Sequence, residues 1–423
     1  LKILYLSHRI PYPPNKGDKI RSFHEIEYLS REHSLHVAAL VDNPDDFQYE
    51  KDLQRYCRKL ALFPLHPWYG KLRGLATLAK GKPLSVGYFY SNRMQQTINH
   101  WLETDRYEAV ICFSSPMAEY ISASPQGRIW SAARNGTRRP ALVMDFCDVD
   151  SDKWAQYARE TRFPMNRVYG LEYKRLLAYE KKVNRAFDHS LFVSRSEVDL
   201  FRRLYPDAAN LGVIPNGVDV DYFSPNHADR FAEDIDRIRR QGPVLVFTGA
   251  MDYQANVDGV VWFCRSIFPS IRIKFPTCRF YIVGSRPAAE VKALEQTAGI
   301  IVTGFVPDIR PYYLAADVSV VPLRLARGVQ NKVLEAMAMG NAVVATPAAV
   351  KGIASDWSGC LMVSDQPENF AEEVMRCLDN PATAEALGAG ARTFVGKHYH
   401  WDAHMMHLER LFSNSTGFGL RES

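Results

Sequence analysis

Short runs of apolar residues recur along the chain, separated by segments with helical periodicity. In the first half the runs fall at 2–6, 35–41, 59–63, 108–113, 141–146, 190–193 and 211–214. Helical patterns lie between them, notably at 18–31, 92–103, 165–185 and 195–204. A short run without polar alternation fits a strand covered on both faces. Strands alternating with helices imply βαβ units and a parallel sheet with helices on both sides. The rhythm stops at Pro215-Asn216-Gly217, a turn signal. A polar segment, 219–242, rich in Asp and Arg, reads as a linker and a solvated helix. Strand runs then restart at 243–248, 279–283, 300–303, 318–322 and 342–346. The pattern predicts an α/β chain of two doubly wound domains, 1–215 and 216–397. A last helix, 398–414, carries Tyr399 and Trp401 and is expected to pack back on the first domain, with a frayed tail beyond it. Ligands of such sheets bind outside the carboxyl ends of the strands, and two such domains facing each other would enclose a cleft.

The most informative stretch is 327–346. It reads as a polar loop, a short helix, a glycine stop and a buried strand. Asn331 is suited to cap the helix, and Gly340 suits the left-handed position that ends it. Val333, Leu334, Met337 and Ala338 form the core stripe. Lys332 and Glu335, three apart, share the opposite face near the helix start. Spacing alone reads them as a surface ion pair. A cation and a carboxylate beside free backbone donors can instead hold a phosphate and a sugar diol.

Composition bounds the possibilities. The 423 residues are enough for two or three cores, and 47% hydrophobic with 23% charged content is ordinary globular material. The net charge of +5 is too small to imply nucleic acid, but suits anionic small molecules or anionic lipid. Seven cysteines form no C-x-x-C pair, which reads as reduced, buried thiols in a cytoplasmic protein. No run is long and apolar enough to span a bilayer, and the chain opens directly on a strand with no signal-peptide layout. The segment 64–82 departs from the rest. It carries Trp68, Tyr69, Leu72, Leu75 and Leu78 with Lys71, Arg73, Lys80 and Lys82, and no acidic residue. Two readings stand: an interfacial helix on the inner face of the plasma membrane, or a solvated core helix with a charge bias.

Three ordered motifs then carry a resemblance. Val213-Ile214-Pro215-Asn216-Gly217-Val218-Asp219, followed by Phe223-Ser224-Pro225, resembles the hinge signature of family-4 glycosyltransferases, which have the two-domain GT-B fold. Gly304-Phe305-Val306-Pro307-Asp308, with Tyr312, Ala315-Ala316-Asp317 and Pro322-Leu323, is similar to the donor-domain core of that family. Leu334-Glu335-Ala336-Met337-Ala338-x-Gly is similar to its most recognisable motif. More narrowly, the stretch from Asp145 to Trp154 and the Gly328-Val329-Gln330-Asn331-Lys332 variant resemble the transferases found beside exosortase-linked exopolysaccharide gene clusters.

The resemblance implies transfer of a sugar from a nucleotide-diphosphate donor, with retention, to a lipid-linked or oligosaccharide acceptor, without a metal or other cofactor. It implies that Glu335 holds the donor ribose, since a carboxylate accepts two hydrogen bonds from a diol. The family's other motif glutamate is replaced by Arg327. The loop 248–256, beginning Thr248-Gly249, lacks the Arg and Lys that the family uses on the diphosphate. Arg324, Arg327 and Lys332 are the candidates to supply that charge, against the reading of both arginines as solvated loop residues. Gly249, Gly328, Val329, Gln330 and Asn331 complete the expected donor loops, and the main chain at Val306 is expected at the base. In the first domain, Gly17 at a helix start and Arg21 one turn on are candidates for the same diphosphate. The loop after 141–146 lacks the family's histidine. Asp148 or Asp145 is the replacement as acceptor partner or base, against helix capping by Asp150 or Ser151. His8 and Ser194 lie on the same edge, each with a structural alternative, a hydrogen-bond partner and a helix cap. Two rival functions remain: a nucleotide-sugar 2-epimerase of the same fold, and a transferase-like scaffold without activity.

Overall fold

A computed structural model describes residues 1–14, 17–79, 81–132, 139–326, 328–353 and 356–413. The chain forms two units, Leu1–Pro215 with the residues from His404 onward, and Asn216–Ala403. Each has its own sheet and its own hydrophobic core.

The first sheet has seven strands: β1 (Lys2–Ser7), β2 (Ser34–Val41), β3 (Lys59–Pro64), β4 (Ala109–Phe113), β5 (Ala141–Cys147), β6 (His189–Phe192) and β7 (Leu211–Val213). Their order is β3-β2-β1-β4-β5-β6-β7, and every pairing is parallel. The second has six: β8 (Val244–Thr248), β9 (Arg279–Val283), β10 (Ile300–Gly304), β11 (Val318–Val321), β12 (Ala342–Ala345) and β13 (Met362–Val363), in the order β10-β9-β8-β11-β12-β13, again all parallel. The apolar runs form strands because helices cover both faces; β4, β8 and β12 are buried along their whole length. The two-residue β13 is the strand whose run is too short to read from sequence. In each sheet the strand order reverses once, between β1 and β4 and between β8 and β11. Those reversals open crevices at the carboxyl ends of the strands.

Gly217 lies against the Trp401 ring, which a Cβ would approach to 2.7 Å, and Val218 N–H donates to Tyr399 O (2.8 Å). His398 is the last residue of the preceding helix, Pro381–His398, and the final helix, predicted at 398–414, is Trp401–Ser413. From His404 onward the latter belongs to the first unit, where Glu409 accepts from Tyr28 and lies 3.1 Å from His33 Nε2. The polar segment 219–242 holds the helix Ala232–Arg239 but is only partly solvated. Arg310, paired with Asp308, stacks over Tyr222 at 3.9 Å and gathers that linker onto the second unit.

Segment 64–82 contains the helix Pro67–Ala79. Gly70 and Gly74 seat it on the helix Leu84–Tyr88: a Cβ on Gly70 would lie 2.8 Å from the Tyr88 ring, and one on Gly74 3.1 Å from Leu84 O. Trp68, Tyr69 and Leu72 are 69%, 65% and 50% exposed. Lys80 lies outside the described residues. No helix among the described residues is long and apolar enough to cross a membrane.

Candidate functional site

The second unit builds its site at the β8/β11 reversal. Thr248 ends β8 and Gly249 follows. A Cβ on Gly284, just after β9, would lie 1.7 Å from Gly249 O, so only glycine lets these loops meet. Gly249 N–H donates to Val283 O (3.0 Å) and Gly284 N–H to Gly304 O (3.2 Å), which locks the ends of β8, β9 and β10 together.

The helix Asn331–Ala338 arrives over this edge from β11. Val333, Leu334, Ala336, Met337 and Ala338 are buried, so Lys332 and Glu335 face the other way. They are not a surface ion pair. Lys332 Nζ donates to Asn256 Oδ1 (2.7 Å), sits 4.9 Å from the Phe247 ring centroid, and lies 3.3 Å from where a Cβ on Gly249 would be. Burial lowers its pKa to about 8, against the upward pull of Glu335. Glu335 Oε2 accepts from Tyr313 Oη (3.2 Å), which also shares a hydrogen bond with Thr248 Oγ1 (2.6 Å). Burial raises the Glu335 pKa; the Tyr313 hydrogen bond and Lys332 oppose it. The helix closes as read: Gly340 has φ +74°, its N–H reaches Met337 O (3.0 Å), and Asn341 N–H reaches Ala336 O (3.1 Å). Those two bonds are a Schellman motif.

Other expectations about this stretch need correction. Asn331 does not cap the helix. The cap position is Gln330, in extended backbone and without a side-chain cap bond, and Asn331 accepts instead from Asn216 Nδ2 (3.4 Å). Gly328 takes a left-handed φ of +58°, and Val329 is buried in the core. Arg324 turns to the surface, where it pairs with Asp258 through two nitrogens and lies over Trp262. Its charge is matched there. Arg327 lies outside the described residues. Val306 is partly buried, whereas Phe305 beside it is 75% exposed. Sequence reasoning missed Asn256, Tyr313 and Thr248 as the partners that set the states of Lys332 and Glu335.

The first unit presents a second edge at the β1/β4 reversal. Arg21 does not reach a ligand. Its guanidinium is buried, with Nε on Asp145 Oδ2 (2.7 Å) and Nη1 on Ile214 O (2.6 Å), the carbonyl just before the join. Asp145 is likewise fully buried, and its other oxygen accepts from Cys147 N–H (2.9 Å). Both are core residues: Arg21 is shared between Asp145 and the equally buried Glu25, whose Oε1 lies 3.3 Å from its Nε. Gly17 starts the helix Gly17–Ser30 in open space. His8 follows β1. Its ring stacks on Phe113 at the end of β4, and its Nε2 lies 3.5 Å from Asp18. Burial pushes the Asp18 pKa up, but His8 and Arg9 hold it well below the usual carboxylate range.

Asp148 stays partly exposed, 3.0 Å from Lys153 Nζ. Burial works against the Lys153 charge, yet Asp150 and Asp148 raise its pKa well above the ordinary value. Neither Asp150 nor Ser151 caps the helix Asp150–Glu160; Val149 holds the cap position. The free backbone donors go to carboxylates from later helices, Val149 N–H to Glu197 (2.8 Å) and Ser151 N–H to Glu180 (3.0 Å). Ser194 does cap its helix, accepting from Glu197 N–H (3.3 Å). Two residues on this edge, Ser114 (φ +75°) and Cys147 (φ +62°), hold left-handed backbone. Among the described residues, no group of three or more His, Cys, Asp or Glu is placed to hold a metal ion.

Two parallel-sheet units of this kind define the GT-B class of glycosyltransferase structures, and the comparisons agree. HepE from Anabaena, solved with UDP, superimposes with a TM-score of 0.66 at 15% identity, over 98% of this chain and all of that one. Residues 242–380, most of the second unit, match the family described as Glycosyl transferases group 1. An uncharacterised 44.6 kDa protein of the Klebsiella pneumoniae cps region is 20% identical over 417 residues, covering 94% of this chain and 96% of its own length. A GDP-mannose-dependent alpha-(1-6)-phosphatidylinositol monomannoside mannosyltransferase of Mycobacterium tuberculosis is 27% identical over 238 residues, or 52% of this chain and 60% of its own.

Proposed function

We propose that the chain transfers a sugar from a nucleotide-diphosphate donor, with retention, to a saccharide acceptor carried on a lipid, in the making of an exopolysaccharide or other surface glycan. The observation that carries this reading is Lys332: a half-buried ammonium whose hydrogen-bond partner is the neutral Asn256. A cation that feels Glu335 but makes its hydrogen bond to a neutral amide, beside a helix start, is suited to an anion. Glu335, three residues on, offers its carboxylate to the ribose hydroxyls. The departing diphosphate is neutralised by Lys332, with Arg327 as the second cation. The diphosphate itself takes the proton of the incoming hydroxyl as the bond to the sugar forms. The UDP in HepE and the GDP-mannose dependence of the mycobacterial relative support a nucleotide-sugar donor. The exposed face Trp68, Tyr69 and Leu72, with its basic flank, is read as the contact with an anionic membrane surface.

Thermal shift against UDP, GDP, ADP and TDP sugars tests the donor site, because a ligand that binds only the folded chain raises Tm. At least one family of nucleotides is expected to raise it in the native chain and to lose that effect in Lys332→Ala and Glu335→Ala. If no nucleotide shifts Tm, or both variants respond as the native chain does, the reading fails.

A further inference from the structure

The helix Met165–Ala186, between β5 and β6, carries six basic residues and two acidic ones, Glu172 and Glu180. Both carboxylates are fully buried. Glu172 accepts from Leu84 N–H and from Ser85 N–H (2.9 Å), at the start of the helix Leu84–Tyr88. Glu180 accepts from Ser151 N–H (3.0 Å), in the first turn of Asp150–Glu160. The helix thus spends its negative charge on the free donors of two neighbouring helix starts. Its outer face keeps the positive charge. Arg167, Leu171, Lys174, Ala178, Lys182 and Arg185 follow one another three or four residues apart, so they lie in one stripe, and all six are exposed. The stripe runs for about 27 Å and holds no carboxylate. Arg167, Lys174 and Lys182 make no ion pair among the described residues. Arg185 gives Nε to Tyr205 Oη (2.6 Å), which leaves its charge unmatched by that bond.

The stripe ends at a turn of a different character. Between Asp150–Glu160 and Met165–Ala186, Phe163 is 79% exposed and Met165 42%. Arg162 beside them makes no ion pair among the described residues. The Trp154 and Tyr169 rings meet at 5.4 Å, and Tyr157 lies 6.0 Å from Tyr169, so packing between the two helices holds the turn in place. The carboxylates of the neighbouring helix do not neutralise this surface. Asp148 and Asp150 are taken by Lys153, and Asp152 lies 3.9 Å from Arg159. Glu160 is the exposed one.

Charge alone suits any anionic partner, and the apolar turn selects among them. A bilayer interface takes an aromatic tip into its headgroup boundary while its anionic lipids attract the basic side chains, over a surface as extended as the stripe. We infer that this helical hairpin docks on an anionic lipid surface, with Arg167, Lys174, Lys182 and Arg185 toward the headgroups and Phe163 at the hydrocarbon boundary. The inference does not depend on the glycosyl-transfer reading. It also concerns a different surface from Trp68, Tyr69 and Leu72, where Lys82 is already paired with Glu119.

The test is cosedimentation of the full chain with phosphatidylcholine vesicles, with and without phosphatidylglycerol, at low and at high salt. The native chain should follow the anionic vesicles, and more strongly at low salt. Arg167→Gln with Lys174→Gln and Lys182→Gln should lower that partition about tenfold or more at low salt. The same loss is expected in the Trp68→Ser, Leu72→Ser background, which reads the two surfaces separately. Phe163→Ser with Met165→Ser should lower binding at high salt as well, because the apolar contribution is not screened. All these side chains are exposed, so Tm and the nucleotide-induced Tm shift should stay as in the native chain. The inference is overturned if the charge variant sediments as the native chain does, if vesicles without phosphatidylglycerol bind equally well, or if the Phe163→Ser, Met165→Ser chain binds unchanged. It is also overturned if duplex DNA or polyglutamate binds through the stripe more tightly than the anionic vesicles, which would make an acidic macromolecule the partner. A chain that docks on vesicles through the stripe but binds no nucleotide would keep this surface and lose the transfer reading.

Discussion

A lysine is best suited to phosphate where no carboxylate holds it by a hydrogen bond, and Lys332, bonded to Asn256 with Glu335 only nearby, is such a case. Burial holds its pKa near 8, and Asn256 orients it without cancelling its charge. A nucleoside diphosphate should bind the charged form. Affinity is therefore expected to be constant below about pH 7, to fall as pH rises through 8, and to be about tenfold weaker by pH 9. Lys332→Arg stays charged and should flatten the profile. Calorimetric titration between pH 6 and 9 reads both, and a flat profile in the native chain would place the diphosphate elsewhere. The spacing of Lys332 and Glu335 was legible in the sequence, but their state was not. Asn256 lies 76 residues from Lys332, and Tyr313 lies 22 from Glu335. Arg21 and Asp145 show the converse. Each has the right type and the right strand end for a ligand, yet they meet across 124 residues and spend their charge on each other.

At the scale of elements, the donor helix is located by a glycine contact. A Cβ on Gly388 would lie 1.9 Å from Gly340 O, so the helix Pro381–His398 presses on the turn that ends Asn331–Ala338. Gly388→Ala should destabilise the chain by about 1–3 kcal/mol, as overpacking does, and should weaken nucleotide binding as well. Gly396→Ala, on the same helix with nothing within 4 Å of its Cβ, is the control and should cost nothing. Urea unfolding and the nucleotide-induced Tm shift give the two readouts. Equal stability of the two variants would show that the contact is soft. Sequence marked Gly340 as a helix stop because a left-handed terminus has a local signature. It did not mark Gly388, whose constraint comes from another element. Caps were misread for the same reason. Asn331, Asp150 and Ser151 are cap-forming types, but Asn331 bonds Asn216 instead, and at the helix Asp150–Glu160 the backbone donors go to Glu180 and Glu197 from later helices.

At the scale of the whole chain, the exposed face of Pro67–Ala79 sets the remaining prediction. Trp68→Ser with Leu72→Ser should lower cosedimentation with vesicles containing anionic lipid, most clearly at low salt, and leave Tm and the nucleotide shift unchanged. Equal sedimentation of variant and native chain would assign the face another role. All seven thiols are free, and Cys147 and Cys360 are the partly exposed ones.

Hydrophobic patterning by itself determined the element types, twelve of the thirteen strands, the break at Pro215 and the helix that carries Lys332 and Glu335. These follow from near-neighbour periodicity, because a strand covered on both faces and a helix with one apolar stripe leave distinct local marks. Only the tertiary structure decided the strand order, and with it which loop ends share a crevice. It also decided which charges stay available. Arg21, Asp145 and Arg324 found partners far along the chain, whereas Lys332 received a neutral one. Charge pairing and burial depend on contacts between distant residues, so the sequence named the candidates and the fold selected among them.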